Sequence, residues 1–315
     1  MKLVTVSAPG KLHVSGEHAV VYGNPALIVA TSLRLYSTLE RNGDAPTIGT
    51  LRENDPYIAA ILEVFSAAYD QPVEDSLHLA VQSAIPVGAG MGSSAALAVS
   101  LIGALTTWYQ KPWSIQKINE LAYKAEKQKH GNSSGSDPAI AANGGILWYR
   151  KELEFLKTMW LLSMRVPKSF PSLQLINTGR VESTGDLVGM VAQKKQQNES
   201  LFAKLLTDIE TETKAITQAI HDENEAAFRE GIKQNEVLLE KMGVVSTKTK
   251  VLIRRIEKIG GVAKISGAGG IKDGSGVVIA VGDAEQIRSI AGRSSYGVFQ
   301  TVLGGAGVKL ERAVA

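Results

Sequence analysis

The sequence has no cysteine, which excludes disulfide bonds, thiolate metal sites and a cysteine nucleophile. An excess of one charge is also lacking, because 34 basic residues nearly balance 31 acidic ones, for a net charge of +3. No dense basic run with interleaved aromatic residues is present, and no stretch approaches the roughly twenty apolar residues of a membrane span. The first residues lack the apolar core of a signal peptide. We therefore expect a cytoplasmic protein with neither nucleic acid nor membrane as a partner.

What is present is enough for two folded units, since 44% of the 315 residues are apolar. Residues 2–40 predict four short antiparallel strands, interrupted at Pro9-Gly10 and Gly16, and residues 55–69 predict a helix. Three or four helices are predicted between residues 185 and 259. These patterns indicate an α+β architecture, and the charged and proline-containing stretch after residue 150 places a domain boundary near residue 170.

The glycine-rich segment at residues 86–95 predicts a phosphate cradle. Glycines at alternate positions let backbone N–H groups approach an anion, and the apolar helix that follows directs its positive end to the same place. A P-loop would need lysine before the first hydroxyl, whereas Gly92 precedes Ser93, and the spacing does not fit a dinucleotide-binding fold either. The alternative is a turn that serves chain geometry alone.

Charged residues near the first strands are candidates for chemistry. Lys11, Glu17 and His18 lie in a segment that is otherwise apolar. In the alternative interpretation, Lys11 is a surface lysine whose amine reaches solvent, and Glu17 and His18 form an ion pair within the loop. Glu126 falls near the end of a helix predicted at residues 115–129, where a carboxylate opposes the helix dipole and so indicates a nearby cation. A solvent-facing glutamate between Lys124 and Lys127 is the alternative there.

Asp137 begins a second small-residue segment and has two compatible interpretations. Because Pro138 follows it, the pattern predicts a helix cap with proline at the first helical position. A carboxylate beside phosphate-binding glycines can also receive a hydroxyl proton during phosphoryl transfer. A third glycine-rich loop, at residues 263–276, follows a short predicted strand.

Three signatures in this order resemble those of the GHMP small-molecule kinases: A-P-G-K with G-E-H-A, then P-x-x-x-G-M-G-S-S-A, then S-G-A-G-G. The resemblance covers the whole chain, and the joint occurrence is far more specific than any one loop. It implies the GHMP kinase fold, with two α+β domains at residues 1–170 and 171–315. The first would be like ribosomal protein S5, the second would be ferredoxin-like, and the active site would lie between them.

The resemblance also assigns roles to residues. Asp137 would be the catalytic carboxylate and Lys11 its partner, while Glu126 and Ser94, with Ser93 as the alternative to the serine, would hold Mg²⁺. The residues that bind ATP would be those of the second signature: Pro86, Gly88, Ala89, Gly90, Met91, Gly92, Ser93, Ser94 and Ala95. The substrate would meet residues from both halves: Glu17, His18, Thr178, Gly267, Ala268 and Gly269.

Residues 130–137 are similar to the branch of the family that phosphorylates mevalonate. This implies transfer of the ATP γ-phosphate to the 5-hydroxyl of (R)-mevalonate in isoprenoid biosynthesis, by a homodimer. Three alternatives remain: another acceptor such as phosphomevalonate or a sugar, the 3-hydroxyl of mevalonate, or a ligand sensor without catalysis. The chain departs from the family at Ser133, where proline is usual, and at residues 269–276, where a compact run of glycines is usual. Whether this third loop contacts phosphate is left open.

Overall fold

The computed structural model describes residues 1–41, 55–74, 76–86, 88–130, 134–153, 156–167 and 169–314. Ser133 therefore lies outside the described residues. Over these ranges the strands are β1 (Leu3–Ser15), β2 (Pro25–Arg41), β3 (Leu77–Ser83), β4 (Ile146–Lys151), β5 (Lys157–Leu162), β6 (Leu173–Asn177), β7 (Val262–Ser266), β8 (Val277–Val281), β9 (Gly297–Thr301) and β10 (Lys309–Val314).

Helices cover much of the remaining described chain, and a 3₁₀ turn at Ala19–Tyr22 joins β1 to β2. The helices are α1 (Pro56–Tyr69), α2 (Ser93–Trp108), α3 (Ile115–His130), α4 (Ser136–Asn143), α5 (Thr184–Gln197), α6 (Glu199–His221), α7 (Glu225–Met242), α8 (Thr247–Glu257) and α9 (Ala284–Gly292). Among the helices described, none combines the length and the apolar character needed to cross a bilayer.

The strands form two antiparallel sheets. The first has the order β10-β1-β2-β4-β5, with β3 also paired to β2, and the second has the order β7-β8-β6-β9. Apolar residues of both halves, such as Val6, Leu175 and Ile279, belong to one core cluster. The predicted α+β architecture is confirmed. The boundary at residue 170 stays a prediction, and the last strand of the chain pairs with the first.

Two long strands replace the four short ones predicted for residues 2–40. Pro9-Gly10 was predicted to end a strand, but β1 continues through it because its register against β2 shifts between Pro9 and Lys11. A bulge tolerates proline, since it leaves one residue outside the ladder of hydrogen bonds. The bulge lies directly before Lys11, whose N–H donates to Met91 O at 2.9 Å. The same irregularity therefore joins β1 to the glycine-rich loop at residues 86–92, which belongs to the second family signature and is called the second glycine-rich loop below.

The helices predicted around this loop form as expected. Asp55 and Ser114 accept hydrogen bonds from backbone N–H groups in the first turns of α1 and α3, as helix-capping residues do. Helix α2 is buried over most of its length and contacts β1, β2, α3 and α4. Because it is surrounded by core, its N-terminal end is fixed in position.

The prediction that Asp137 caps a helix is wrong. The cap position of α4 is Gly135, with φ +78°, so Asp137 lies in the first turn and Pro138 is not the first helical residue. Glycine reaches this conformation without the steric penalty that a side chain would bring. The Asp137 carboxylate caps nothing, and its orientation therefore needs another explanation.

Candidate active site

One cavity of about 650 Å³ gathers most of the residues that the sequence singled out. It lies where the end of the second glycine-rich loop, strand β1, helix α4 and the third glycine-rich loop meet. Its lining includes Lys11, His13, Val20, Gly88, Ala89, Gly90, Met91, Gly92, Ser93, Ser94, Ala95, Glu126, Ser134, Ser136, Asp137, Tyr149, Arg180, Thr184, Ser266, Gly267, Ala268, Ser275 and Gly276. Pro86 is half-buried just before this lining begins.

In the second glycine-rich loop, buried residues that hold the loop in place alternate with exposed glycines. Ala89 and Met91 are buried, while Gly88 and Gly90 are exposed and have φ values of +73° and +75°. A Cβ built on either glycine would meet nothing within 4 Å. The two apolar side chains hold the loop in place, and the backbone between them faces open space beside the N-terminus of α2. This is the arrangement that an anion requires of a backbone cradle.

Lys11 and Asp137 form an ion pair at the edge of this cradle. Lys11 Nζ lies 3.3 Å from Asp137 Oδ1, and the two side chains are 8% and 27% exposed. Gly92 has φ +74°, and a Cβ there would lie 3.0 Å from Lys11 Cγ and 3.7 Å from Asp137 Oδ2. Only glycine lets the loop pass this close to the pair. The sequence places the two residues 126 positions apart, and the fold brings their side chains together.

Glu126 and Ser94 line the same cavity and offer the oxygen ligands that Mg²⁺ prefers. The pKa of Tyr57 is raised, mainly by burial and then by the negative charges of Glu126 and Asp137. Both carboxylates therefore act on the same neighbouring side chain. Within the described ranges, no group of three or more His, Asp or Glu residues could enclose a metal ion.

Glu17 and His18, which were predicted to meet the substrate, lie behind the cavity wall. Glu17 is 2% exposed and forms an ion pair with the fully buried Lys264 of β7. Burial raises the pKa of Glu17, and the charge of Lys264 opposes this shift. The Nε2–H of His18 donates to Ala268 O at 2.9 Å, and burial lowers the pKa of the ring. Both residues thus support the third loop from beneath.

The predicted residues of the second half divide in the same way. Gly267 and Ala268 line the cavity, whereas a Cβ on Gly269 would overlap the backbone of Val244, outside it. The Thr178 hydroxyl is buried and already hydrogen-bonded within the protein, since it donates to Gly276 O at 2.8 Å. Contact of these residues with a substrate stays a prediction.

Sequence reasoning missed several residues of the cavity wall, most notably His13 and Arg180. His13 is two residues beyond Lys11 on a strand, so the alternation of side chains gave a signal for it. Burial lowers its pKa well below the usual value, and the charge of Lys11 adds to this effect. Arg180 lies in the polar turn after β6, and in the described part of the chain it makes no ion pair. No sequence pattern distinguished it from a surface arginine.

The chain matches known proteins in sequence and in fold. The sequence profile of the GHMP kinases N terminal domain matches residues 56–145. A mevalonate kinase of Pyrococcus abyssi is 32% identical over 302 residues, covering 85% of this chain and 87% of the relative. One of Archaeoglobus fulgidus is 30% identical and covers 84% and 88%.

Solved structures show the same fold. The L. major mevalonate kinase in complex with R-mevalonate has a TM-score of 0.78 at 21% identity, covering 96% of both chains. The Methanococcus jannaschii mevalonate kinase also has a TM-score of 0.78, at 20% identity, covering 95% of this chain and 98% of that one. At these identities the likeness establishes the architecture and nothing further.

A glycine-rich loop with open backbone beside a cation–carboxylate pair suits an enzyme that moves a phosphoryl group, and the relatives are enzymes of that kind. The fold and the site thus define an ATP-dependent small-molecule kinase. The chain belongs to the GHMP kinase family, in the branch of the mevalonate kinases. The three sequence signatures had indicated this family, and the prediction is confirmed.

Proposed function

We propose that this enzyme transfers the γ-phosphate of ATP to the 5-hydroxyl of (R)-mevalonate, giving 5-phosphomevalonate and ADP in isoprenoid biosynthesis. The observation that carries the proposal is the 3.3 Å pair of Lys11 and Asp137 beside the open glycines of the second loop. The relatives at 30–32% identity support mevalonate as the acceptor. A sugar or phosphomevalonate as the acceptor has less support, because the relatives from Pyrococcus abyssi and Archaeoglobus fulgidus are mevalonate kinases.

In this proposal Asp137 accepts the proton of the substrate hydroxyl as the oxygen attacks the γ-phosphorus. A bond forms between that oxygen and phosphorus, the bond from phosphorus to the β-bridging oxygen breaks, and ADP leaves with the electron pair. Lys11 stabilises the negative charge that develops on the attacking oxygen. Phosphoryl transfer asks a protein mainly for positioning and charge stabilisation, and this pair supplies both.

The glycine-rich loop binds the phosphates of ATP in this proposal. The exposed backbone at Gly88 and Gly90 faces the triphosphate, and the N-terminus of α2 adds its positive end. The predicted ATP-binding set, Pro86, Gly88, Ala89, Gly90, Met91, Gly92, Ser93, Ser94 and Ala95, is kept. Within it, Ala89 and Met91 anchor the loop by their side chains.

Glu126 and Ser94 are the residues that we propose to hold Mg²⁺, with Ser93 as the alternative to Ser94. A carboxylate and a hydroxyl on one cavity wall fit a hard cation that keeps other positions for phosphate and water. When bound, the ion neutralises phosphate charge.

The acceptor would occupy the side of the cavity bounded by β1 and the third loop. Gly267 and Ala268 face it directly, while Glu17, His18, Thr178 and Gly269 shape this wall from behind. Mevalonate carries a carboxylate, and Arg180 supplies a positive charge from the second half. We also propose domains at residues 1–170 and 171–315, a homodimer and a cytoplasmic location.

The test incubates the purified chain with ATP, Mg²⁺ and (R)-mevalonate and follows ADP release and the ³¹P spectrum of the product. We expect a phosphomonoester on the primary 5-hydroxyl. A product on the tertiary 3-hydroxyl, or turnover only with a sugar or phosphomevalonate, would replace the proposed acceptor. Binding of ATP and mevalonate without turnover would identify a ligand sensor instead. The variant that removes the proposed proton acceptor is Asp137→Asn. Its matched control is Asp208→Asn, which changes a carboxylate on α6 outside the cavity lining.

A further inference from the structure

The turn at residues 178–182 and the loop at residues 270–276 are hydrogen-bonded to each other in both directions. Thr178 Oγ1 donates to Gly276 O at 2.8 Å and accepts from the N–H of Ser275 at 2.9 Å. The N–H of Thr178 also donates to Gly276 O, at 2.9 Å. Turn and loop therefore form one unit, which we call the brace.

Close backbone packing holds the brace together. A Cβ on Gly274 would overlap the carbonyl oxygens of Thr178 and Gly179, and one on Gly270 would overlap the carbonyl oxygen of Gly274. These glycines are required because two backbone segments approach each other, leaving no space between them for a phosphate. The part of the third loop that departs from its family is thus packed against protein.

Glu182 links the two parts of the brace through its side chain. Its Oε1 accepts the N–H of Lys272 at 2.9 Å, while its Oε2 is buried and has no hydrogen-bond partner among the described residues. A Cβ on Gly270 would lie 3.3 Å from Glu182 Oε2 and 3.3 Å from Arg180 Cγ. The stem of Arg180 and the Glu182 carboxylate thus flank the same glycine, and Arg180 lines the cavity.

From this geometry we propose that Glu182 is a positioning residue, which fixes the brace so that Arg180 presents its guanidinium to the carboxylate of the acceptor. The proposal rests on the proposed function, because it takes an acidic acceptor as given. Glu182 itself lies outside the cavity lining. Its effect is therefore on the conformation of the turn, and residues 270–274 of the third loop, which are packed against protein, serve acceptor binding rather than phosphate binding.

The first test measures KM values for Glu182→Ala and Glu182→Gln. The alanine variant loses the acceptor for Lys272 N–H, and we expect its KM for mevalonate to rise about fivefold, the loss of one hydrogen bond. Its KM for ATP should stay within twofold. The glutamine variant keeps an acceptor oxygen and should return toward the wild-type KM. Equal increases in both KM values, or no increase in either, would overturn the proposal.

A double-mutant cycle asks whether Glu182 acts through Arg180. Arg180→Gln should raise the KM for mevalonate about tenfold, as expected for a lost charged contact. If Glu182 only positions Arg180, the double variant should match Arg180→Gln alone. Additive effects would contradict this. Arg288→Gln, an exposed arginine on α9 outside the cavity lining, is the control and should leave both KM values unchanged.

Hydrogen exchange without substrate tests the brace independently of the acceptor. We expect faster exchange at Gly276 and Lys272 in Glu182→Ala, with exchange in α2 unchanged. Unchanged exchange in the brace would reject the positioning role even if mevalonate is the substrate. Faster exchange in an enzyme that does not phosphorylate mevalonate would reject the proposed function, while the role of Glu182 in fixing the brace would still stand. If Glu182→Ala does not fold, Thr178→Val removes bonds of the same brace and takes its place.

Discussion

The loop at residues 86–92 and the loop at residues 267–276 are both rich in glycine and both reach the cavity, yet the space around their glycines differs. Gly88 and Gly90 face open space, as do Gly267 and Gly276 at the two ends of the third loop, whereas side chains at Gly269 and Gly274 would overlap neighbouring backbone. At the open positions glycine leaves room at the cavity, and between residues 269 and 274 it lets protein segments pack closely. Glycine content alone does not distinguish these two uses, but the position that a Cβ would occupy does.

Among the glycine substitutions, the largest effect on turnover is expected at Gly92, where the second loop meets the Lys11–Asp137 pair. In Gly92→Ala the new methyl group would lie 3.0 Å from Lys11 Cγ, and the residue must keep φ +74°. The Lys11 side chain must shift by a few tenths of an ångström, and we expect kcat to fall about tenfold, because phosphoryl transfer depends steeply on the position of the reacting groups. Steady-state kinetics at saturating ATP and mevalonate measures it. A kcat within threefold of wild type would show that the loop does not constrain the pair.

Gly269→Ala should act on stability rather than on the chemical step. Its methyl group would overlap the backbone of Val244, and φ is +74°. We expect a loss of about 2–3 kcal/mol in the free energy of unfolding, the range found for overpacked sites. Urea denaturation followed by circular dichroism checks this value. If stability is unchanged while the KM for ATP rises, the third loop is a phosphate cradle and the comparison fails.

Gly90→Ala is the matched glycine-to-alanine change in the second loop. Its methyl group would meet nothing within 4 Å, so only the positive φ opposes it, at a loss of about 1 kcal/mol in stability. The methyl group would occupy the open side of the loop, where we propose that the triphosphate binds, and we expect the KM for ATP to rise several-fold with the KM for mevalonate unchanged. Isothermal titration with a non-hydrolysable ATP analogue gives the same comparison without turnover. Equal affinity in variant and wild type would contradict the cradle.

The smallest effect concerns Glu236, which supports the strand leading into the third loop. Its Oε2 accepts the N–H of Ile265 at 2.9 Å, and burial raises its pKa to about 8. The folded state therefore keeps a proton that the unfolded state releases above about pH 4.5, so unfolding becomes easier as the pH rises toward 8. Glu236→Gln removes this dependence.

Thermal unfolding between pH 5 and pH 8 measures the Glu236 effect. The melting temperature of Glu236→Gln relative to wild type should increase with pH across this window. A constant difference would show that Glu236 is ionised in the folded protein. Exchange protection of the second loop should not follow the same pH dependence, because the Glu236 carboxylate is hydrogen-bonded to Ile265 in the second half.

Local patterns predicted those features that local physics determines. The helices at residues 55–69 and 115–129, the buried helix α2 and the order of the three glycine-rich segments could all be predicted from neighbouring residues. The pairing of Lys11 with Asp137 followed from family resemblance, and the structure places the two side chains in contact. Nothing in the spacing of the two residues would have given that distance.

Other features depend on contacts between residues far apart in the chain. Glu17 is paired with Lys264, 247 positions away, so its burial behind the cavity wall has no local signature. The continuation of β1 through Pro9-Gly10 depends on a bulge against β2, and the cap of α4 at Gly135 depends on a left-handed turn. The packing of the third loop depends on Val244 and Thr178, which sequence alone does not place beside it.

The most direct test of the central claim is a single-turnover measurement on Asp137→Asn with saturating ATP, Mg²⁺ and (R)-mevalonate. Loss of the proton acceptor should slow phosphoryl transfer by about 10²- to 10⁴-fold, while ATP affinity and melting temperature stay close to those of wild type and Asp208→Asn. A transfer rate within threefold of wild type would show that Asp137 is not the proton acceptor and would remove the basis of the proposed mechanism.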